Sequence, residues 1–285
     1  MKTLVHLSDI HFGRVDETVV AAIVPLVHRL APSVVVVSGD LTQRAKPDQF
    51  RAARRFLDAL PKPQIVVPGN HDIPLYNVFQ RFLQPLTKYR RFISPDTEPF
   101  YVDDEIAVAG VNTARSLTIK DGRINEEQMK RLHDRLAPLD DRMTKIIVTH
   151  HPFDLPDNFK EGDLVDRAHK AMEVFCRAGA DTLLSGHLHT SHVTGTAHRY
   201  PMGDFNALVV QAGTATSTRS RGETNSFNRL VIDSDRIDVE RWAWQPDQGQ
   251  FEAVALQRFA WGRGGWQAAD ADTQAMNEDR AQAAD

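Results

Sequence analysis

The segment TLVHLSDIH, residues 3–11, joins a β-favouring apolar run to a pair of polar side chains. Thr3–Ser8 has the composition of a buried strand, and after a polar turn the stretch Glu17–Leu30 places apolar residues at helical spacing. A strand that leads through a polar turn into a helix is the repeating unit of an α/β sheet. The segment therefore predicts the fold class, and it marks the first place where polar groups gather at a strand end.

The same unit recurs through about the first two hundred residues. Further strands are predicted at Val34–Ser38, Gln64–Val67, Ile106–Val111, Lys145–Thr149 and Thr182–Ser185. Further helices are predicted at Pro47–Leu60, Glu126–Leu136 and Asp166–Ala178. Strands that alternate with helices predict a sheet with helices on its faces.

After about residue 190 the helical patterns stop. Strands are predicted at His192–Thr196, Ala207–Gln211, Leu230–Ile232, Val239–Trp244 and Phe251–Phe259. We predict that these strands form an antiparallel second sheet stacked on the first, with helices outside, in one continuous domain.

The composition of the 285 residues is that of a globular protein, with 41% hydrophobic and 25% charged residues. The segment Ala268–Asp285 holds five acids and one base, which accounts for the whole formal charge of −4. The neutral remainder argues against binding to DNA or to anionic membranes by bulk electrostatics. We therefore predict one domain over residues 1–267 and an acidic, disordered tail over residues 268–285.

The single cysteine, Cys176, excludes an internal disulfide and any cysteine-rich zinc module. It lies in the helical pattern AMEVFCRAG, which favours a buried thiol over a nucleophile. The chain opens directly on the first predicted strand without a secretory signal, and its apolar runs are too short to cross a bilayer. These features predict a cytoplasmic protein.

Polar side chains follow five of the predicted strands at the point where each strand ends, which is where α/β sheets bind ligands. They are Asp9 and His11, Asp40 after Gly39, Asn70-His71-Asp72 after Gly69, His150-His151, and His187 and His189 after Gly186. Imidazole with carboxylate suits zinc, iron, manganese or cobalt. So many candidate ligands indicate two ions, and Asp40 is the natural bridging carboxylate. Five other histidines are interpreted as ordinary core or surface residues, namely His6, His28, His133, His169 and His198.

Taken together, these residues resemble the five motifs of calcineurin-like metallophosphoesterases. The opening LSDIHFG and the later GTATSTRSRGETNSFN are most similar to bacterial class III cyclic nucleotide phosphodiesterases and their glycerophosphodiesterase relatives. The resemblance covers roughly residues 1–245. It implies a four-layer α-β-β-α sandwich, in which two stacked mixed sheets are flanked by helices.

The resemblance also implies roles for single residues. The first metal ion would be held by Asp9, His11, Asp40 and His189, and the second by Asp40, Asn70, His150 and His187. A hydroxide bridging the two ions would attack phosphorus, and His71 would assist the leaving group, with Asp72 as its orienting partner. For His151 and Asp154, support of the metal site and simple turn formation at Pro152 both remain open.

Substrate contacts are predicted more loosely at Asn112, Arg115, His192 and Arg219, which lie in loops able to reach the crevice. Histidine at position 71 disfavours lipid A precursor pyrophosphatases, which carry arginine there. Tyr76–Phe92, with Lys88, is interpreted as a small cap.

The favoured function is hydrolysis of a small phosphodiester, above all a 3′,5′-cyclic nucleotide such as cyclic AMP. A glycerophosphodiesterase, a broad-specificity phosphodiesterase or nuclease, and a metal-free interaction scaffold are the alternatives. We expect no stable nucleic-acid partner and no membrane partner, and the resemblance alone suggests a homodimer.

Overall fold

The computed structural model describes residues 1–75, 78–116, 121–157, 159–218, 222–262 and 264–269. The strands in these ranges are β1 (Lys2–Leu7), β2 (Val34–Val37), β3 (Gln64–Val66), β4 (Phe100–Val102), β5 (Ile106–Gly110), β6 (Thr144–Val148), β7 (Thr182–Ser185), β8 (His192–Gly195), β9 (Leu208–Gln211), β10 (Ser226–Ile232), β11 (Arg236–Gln245), β12 (Gln250–Gly262) and β13 (Gly265–Ala268). The helices are α1 (Glu17–Leu30), α2 (Pro47–Ala59), α3 (Val78–Leu83), α4 (Thr87–Phe92), α5 (Glu126–Leu136) and α6 (Ala168–Arg177).

The strands form two mixed sheets. The first sheet has the order β13-β12-β11-β10-β1-β2-β3, in which β1, β2 and β3 are parallel and β10 runs antiparallel to β1. The second sheet has the order β4-β5-β6-β7-β9-β8, with four parallel central strands and an antiparallel strand at each edge. Each sheet therefore brings the carboxyl ends of several neighbouring strands to one edge.

Three apolar layers hold the two sheets and the helices together. On the outer face of the first sheet, Val5 packs with α1 and α2. Between the sheets, Leu4 of β1 shares a core with Val148 of β6. On the outer face of the second sheet, Ile147 packs with α5 and α6. Neighbouring strand residues thus point to opposite layers, which gives the predicted helix-sheet-sheet-helix sandwich.

The placement of the later strands differs from the sequence prediction. They do not form a separate antiparallel sheet, because β10 pairs with β1 in a register that runs from Lys2↔Ile232 to His6↔Asn228. In contrast, β8 and β9 extend the second sheet beside β7. The short elements β4, α3, α4 and β13 were not predicted as separate elements, because periodicity is too weak over so few residues.

The last described residues belong to the first sheet. Ala268 of β13 pairs with Phe259 of β12, and the backbone N–H of Ala269 donates to Arg258 O. The rest of the predicted tail, from residue 270, lies outside the described residues. Cys176 is half-buried on α6 and not fully buried. No helix in the described ranges has both the length and the apolar character needed to span a membrane.

Candidate metal centre

The loops that follow β1, β2, β3, β6 and β7 meet at one end of the sandwich. They come from both sheets, and they bring together the seven side chains that the resemblance implied as metal ligands. The side chains fall into two adjoining groups that both approach Asp40.

The first group consists of the buried side chains Asp9, His11, Asp40 and His189, whose ligand atoms all lie within 4.8 Å of one another. His189 Nε2 is 3.1 Å from Asp9 Oδ1 and 3.2 Å from His11 Nε2. His11 Nε2 is 3.7 Å from Asp40 Oδ2. This arrangement offers two imidazoles and two carboxylates to one ion.

The second group is centred on Asn70, whose Oδ1 lies 3.0 Å from His150 Nε2 and 3.1 Å from His187 Nδ1. These two imidazole nitrogens are 3.3 Å apart. Asp40 Oδ1 is 3.4 Å from His150 Nε2, while its Oδ2 faces the first group. Asp40 therefore presents one oxygen to each group and lies where a carboxylate could bridge them.

The residues fit a pair of metal ions. Ligand atoms that share an ion at about 2.0–2.2 Å lie roughly 3.0–3.5 Å from one another, and most of the separations above fall in that range. Asp9 Oδ2 accepts hydrogen bonds from Ser8 Oγ and the backbone N–H of His187, but its buried Oδ1 accepts none from the described residues. A buried carboxylate oxygen without a donor is a position that a cation satisfies.

The partner of His150 Nδ1 fixes which of its nitrogens faces the site. Nδ1 lies 2.8 Å from the carbonyl oxygen of Ser38. A carbonyl only accepts, so Nδ1 carries the hydrogen and Nε2 presents its lone pair to the oxygens of Asn70 and Asp40. Lone pairs that converge in this way repel unless a proton or a metal ion lies between them.

The carboxylates make this end of the molecule strongly attractive to positive charge. Burial opposes protonation of His150, but the charge of Asp40 outweighs it and raises the pKa of His150 to about 9. Burial likewise opposes ionisation of Asp40, and the neighbouring His150 and His71 hold the pKa of that carboxyl well below its usual range. Burial and the charge of His150 lower the pKa of His187 to about 3.

Five of the seven candidate ligand residues have φ angles in the left-handed region, which residues other than glycine rarely adopt. Their φ angles are 51° at Asp9, 56° at His11, 52° at Asp40, 74° at His187 and 59° at His189. Each such residue turns sharply at the strand end, and the strain indicates that the surrounding contacts impose the conformation.

The glycines before the site residues are needed for space. A Cβ at Gly186 would lie 1.8 Å from Ser8 Oγ and 2.5 Å from Asp9 Oδ2. A Cβ at Gly69 would lie 2.1 Å from Asp40 Oδ1, and one at Gly39 would lie 2.7 Å from His150 Nδ1. The sequence showed these glycines beside the polar residues. Only the structure shows that their missing side chains allow neighbouring loops to come into contact.

His71 lies at the edge of the site, with its ring 4.9 Å from the ring of His11. Its Nδ1 donates to the backbone carbonyl of Gln43 at 2.9 Å, which orients the ring. Gln43 thus contacts the ring directly, and Asp72, the orienting partner that the resemblance implied, contacts the loop that carries Gln43. Nothing in the sequence pointed to Gln43, since it acts through a main-chain oxygen.

Asp72 holds the loop that carries Gln43. Its two oxygens accept hydrogen bonds from the backbone N–H groups of Leu41, Thr42 and Gly69 and from the Thr42 hydroxyl. Burial, followed by the charge of Asp40, raises the pKa of Asp72 to about 7 against those hydrogen bonds. The carboxyl thus fixes the loops after β2 and β3 relative to each other.

The four predicted substrate contacts are dispersed. Asn112 Oδ1 accepts from the backbone N–H of Ala114, and Arg115 Nη2 donates to Gln128 Oε1, so Arg115 ties its loop to α5. His192 is partly exposed, with Nε2 3.7 Å from Asp154 Oδ2. Arg219 lies outside the described residues.

The segment after β9 supports the loop that holds Asp9. The hydroxyl of Thr214 donates to Asp9 O at 2.7 Å, and the hydroxyl of Thr216 donates to Ile10 O at 2.7 Å. The backbone N–H of Ala215 donates to Ser8 O. The sequence placed this segment near the crevice, and the structure shows it bonded to the main chain of the first motif.

A family model for calcineurin-like phosphoesterases matches residues 2–191. A glycerophosphodiester phosphodiesterase of Enterobacter lignolyticus is 27% identical over 224 residues, which cover 70% of this chain and 78% of the relative. A probable cyclic nucleotide phosphodiesterase of Synechococcus is 24% identical over 159 residues, which cover 53% of this chain and 58% of the relative.

Two solved structures share the fold. A purple acid phosphatase from yellow lupin superposes with a TM-score of 0.64 at 13% identity, over 88% of this chain and 52% of the lupin chain. A dimetal phosphatase from Danio rerio superposes with a TM-score of 0.56 at 14% identity, over 84% of this chain and 95% of the other.

Proposed function

The chain belongs to the calcineurin-like phosphoesterase family and is a metal-dependent phosphoester hydrolase, and we propose that its substrate is a small phosphodiester. The observation that carries the proposal is the pair of ligand groups on either side of Asp40, since two adjoining metal ions suit displacement at phosphorus. A 3′,5′-cyclic nucleotide such as cyclic AMP is the first substrate candidate.

We assign the ligands of the two ions as the resemblance implied. Asp9, His11, Asp40 and His189 hold the first ion, and Asp40, Asn70, His150 and His187 hold the second. Imidazole, carboxylate and amide donors suit zinc, manganese, iron or cobalt. The neutral amide of Asn70 limits the negative charge around the second ion.

When bound, the two ions lower the pKa of coordinated water and offset the charge of the phosphoryl group. His71 serves the leaving group. Its Nδ1–H is committed to Gln43 O, so in the protonated ring Nε2–H is the donor available to the departing oxygen. Asp72 keeps Gln43 in place through the backbone of residues 41 and 42.

We keep Asn112 and His192 as candidate substrate contacts, as proposed from the sequence. Arg115 is less suited to this role, because its guanidinium binds Gln128 Oε1 and Arg123 O. A glycerophosphodiester is the second substrate candidate, because the glycerophosphodiesterase relative matches over a longer span than the cyclic nucleotide enzyme does.

The decisive experiment measures hydrolysis of bis(p-nitrophenyl) phosphate by the full chain reconstituted with manganese. We expect Asp40→Ala to lose activity by about 10³-fold or more, because one change removes a ligand of both ions. Asp181→Ala is the matched control, since it removes a largely buried carboxyl at the opposite end of β7. Equal activity of the wild type and Asp40→Ala would refute the proposal.

A substrate panel separates the two candidates. The panel contains cyclic AMP, cyclic GMP, 2′,3′-cyclic AMP, glycerophosphocholine and single-stranded DNA. A kcat/KM for cyclic AMP at least tenfold above that for glycerophosphocholine supports the first candidate, and the reverse ratio supports the second. Preference for single-stranded DNA would identify a nuclease.

A further inference from the structure

The loop between β7 and β8, residues 186–191, carries two candidate ligands and is held by a carboxylate near each of its ends. We call it the His189 loop. Near its start, the backbone N–H of His187 donates to Asp9 Oδ2 at 2.9 Å. At its end, the backbone N–H of Ser191 donates to Glu223 Oε2 at 3.1 Å. Asp9 belongs to the first ligand group, whereas Glu223 belongs to neither group. Glu223 therefore contacts the His189 loop without being a candidate ligand.

Glu223 is in turn attached to the first sheet. Arg241 of β11 donates from Nη2 to the same oxygen, Glu223 Oε2, at 2.8 Å. The two side chains are half-buried, with 25% of Glu223 and 30% of Arg241 exposed. The carboxylate thus receives one hydrogen bond from the His189 loop and one from a regular strand, which joins the loop to that strand.

The His189 loop also packs closely against residues 213–226. Ser191 Oγ lies 3.2 Å from Ser226 Oγ. A Cβ at Gly213 would lie 2.5 Å from Ser226 Oγ, 3.2 Å from Ser191 Oγ and 3.6 Å from Glu223 Oε2. The contact therefore requires a glycine at position 213, and it places the end of the loop beside Glu223.

The same stretch of chain holds the loop of the first motif. Thr214 and Thr216 donate to the main-chain oxygens of Asp9 and Ile10. Residues 213–226 thus contact both loops that supply the first ligand group. His189 has φ of 59°, a strained conformation that persists only where the surroundings impose it. The hydrogen bond to Glu223 lies two residues beyond this strained position.

We propose that Glu223 is a positioning residue for the first metal ion. It accepts from the backbone N–H of Ser191 and so fixes the position of His189. His189 Nε2 then stays 3.1 Å from Asp9 Oδ1 and 3.2 Å from His11 Nε2. A displaced imidazole binds an ion more weakly, because outer contacts that orient the ligands contribute to metal affinity. The inference rests on the proposed function, since it needs an ion in the first ligand group.

Three substitutions of Glu223 separate its hydrogen bond from its charge. Calorimetric titration of the full chain with zinc measures the affinity for each ion. Glu223→Ala should weaken the first ion about tenfold, because it removes an outer contact of the ligand loop. Glu223→Gln loses the charge but keeps an oxygen that accepts from Ser191, so it should recover most of that affinity. Glu223→Asp keeps the charge but is one methylene shorter, and it should resemble Glu223→Ala.

Glu240→Ala is the matched control. Glu240 also lies on the first sheet and accepts from an arginine, Arg229 Nη1, at 2.9 Å, with 19% of its side chain exposed. This variant should bind both ions within about twofold of the wild type. Histidine ¹⁵N NMR during the titration identifies the weakened ion. In Glu223→Ala the signal of His189 should shift only at higher zinc concentrations, and that of His150 should shift as in the wild type.

The inference fails if Glu223→Gln loses as much affinity as Glu223→Ala, because the charge and not the hydrogen bond would then matter. It also fails if Glu240→Ala weakens the first ion equally. Should Glu223→Ala misfold in thermal melts, tighter zinc binding by Glu223→Asp than by Glu223→Gln would have the same meaning. A wild type that binds no zinc would refute the proposed function. Two ions bound with unchanged affinity in Glu223→Ala would refute only the role of Glu223.

Discussion

The polar groups at the two ends of strands β6 and β7 differ in how they are paired. At their amino ends, the backbone N–H of Lys145 donates to Asp181 Oδ2 at 2.7 Å, and Lys145 Nζ reaches Asp141 Oδ1 at 3.3 Å. Just beyond their carboxyl ends, His150 Nε2 and His187 Nδ1 converge on Asn70 Oδ1. Charged groups at the first end therefore pair within the chain, whereas ligand atoms at the second end converge on a site suited to a cation.

The backbone shows the same contrast. Among the described residues other than glycine, eight have φ in the left-handed region, and five of these are candidate metal ligands in the loops at the carboxyl ends. Such conformations each cost on the order of 1–3 kcal/mol and persist only where the surroundings impose them. The backbone at the carboxyl ends therefore places the ligand atoms at a cost in the free energy of unfolding.

The largest effect that tests this contrast is expected from His71→Ala. It should keep both ions and slow diester hydrolysis by about 10²–10⁴-fold, because the leaving group loses its proton donor. His133→Ala, on the exposed face of α5, serves as the control and should stay within about twofold of the wild type. Metal analysis decides the outcome, since loss of an ion from His71→Ala would show that the ring is a ligand.

A smaller effect is expected from Gly186→Ala. The added Cβ would overlap Ser8 Oγ and approach Asp9 Oδ2, so the first ion should bind about 10–100-fold more weakly. Gly162→Ala is matched to it, because neither glycine has a positive φ and a Cβ at Gly162 meets nothing within 4 Å. Calorimetric titration with zinc measures the difference. Equal affinities in the two variants would mean that the loops after β1 and β7 separate easily.

Local patterns in the sequence predicted the elements well. The bounds of α1, α5 and β7 agree with the predicted ranges, because apolar periodicity and composition are properties of a short window. The pairing of β10 with β1 could not be predicted in this way. It joins residues more than two hundred positions apart, and the choice between two sheets depends on packing that no single segment encodes.

The candidate metal centre, like the fold, could be predicted from the sequence only in part. The clustering of Asp9, Asp40 and His187 could be anticipated, because carboxyl ends of parallel strands meet at one edge. The orientation of His71 by Gln43 could not, since a main-chain oxygen has no signature in the sequence. The contact of His151 Nδ1 with the hydroxyl of Thr113, at 2.8 Å, likewise joins residues distant in sequence. Side-chain identity therefore predicts the gathering of ligands better than their orientation.

The smallest effect is expected at the amino end, where Asp181→Asn should change stability and leave turnover alone. Burial raises the pKa of Asp181 to about 7, against the hydrogen bond from the backbone N–H of Lys145. The unfolded carboxyl ionises near its ordinary value of about 3.9, so from there to about pH 7 the folded state binds more protons than the unfolded state. The free energy of unfolding of the wild type consequently falls as the pH rises through that window.

Asparagine at position 181 cannot titrate, so the variant lacks this contribution to the slope. Relative to the wild type, Asp181→Asn should gain about 1–3 kcal/mol between pH 5 and pH 8. Urea unfolding at both pH values measures the gain, and the metal ligands cancel in the difference because they are common to both proteins. A difference between the proteins that stays constant with pH would show that Asp181 is already ionised in the folded state. The amino end would then hold an unneutralised buried charge of its own, and the contrast with the carboxyl end would lose its basis.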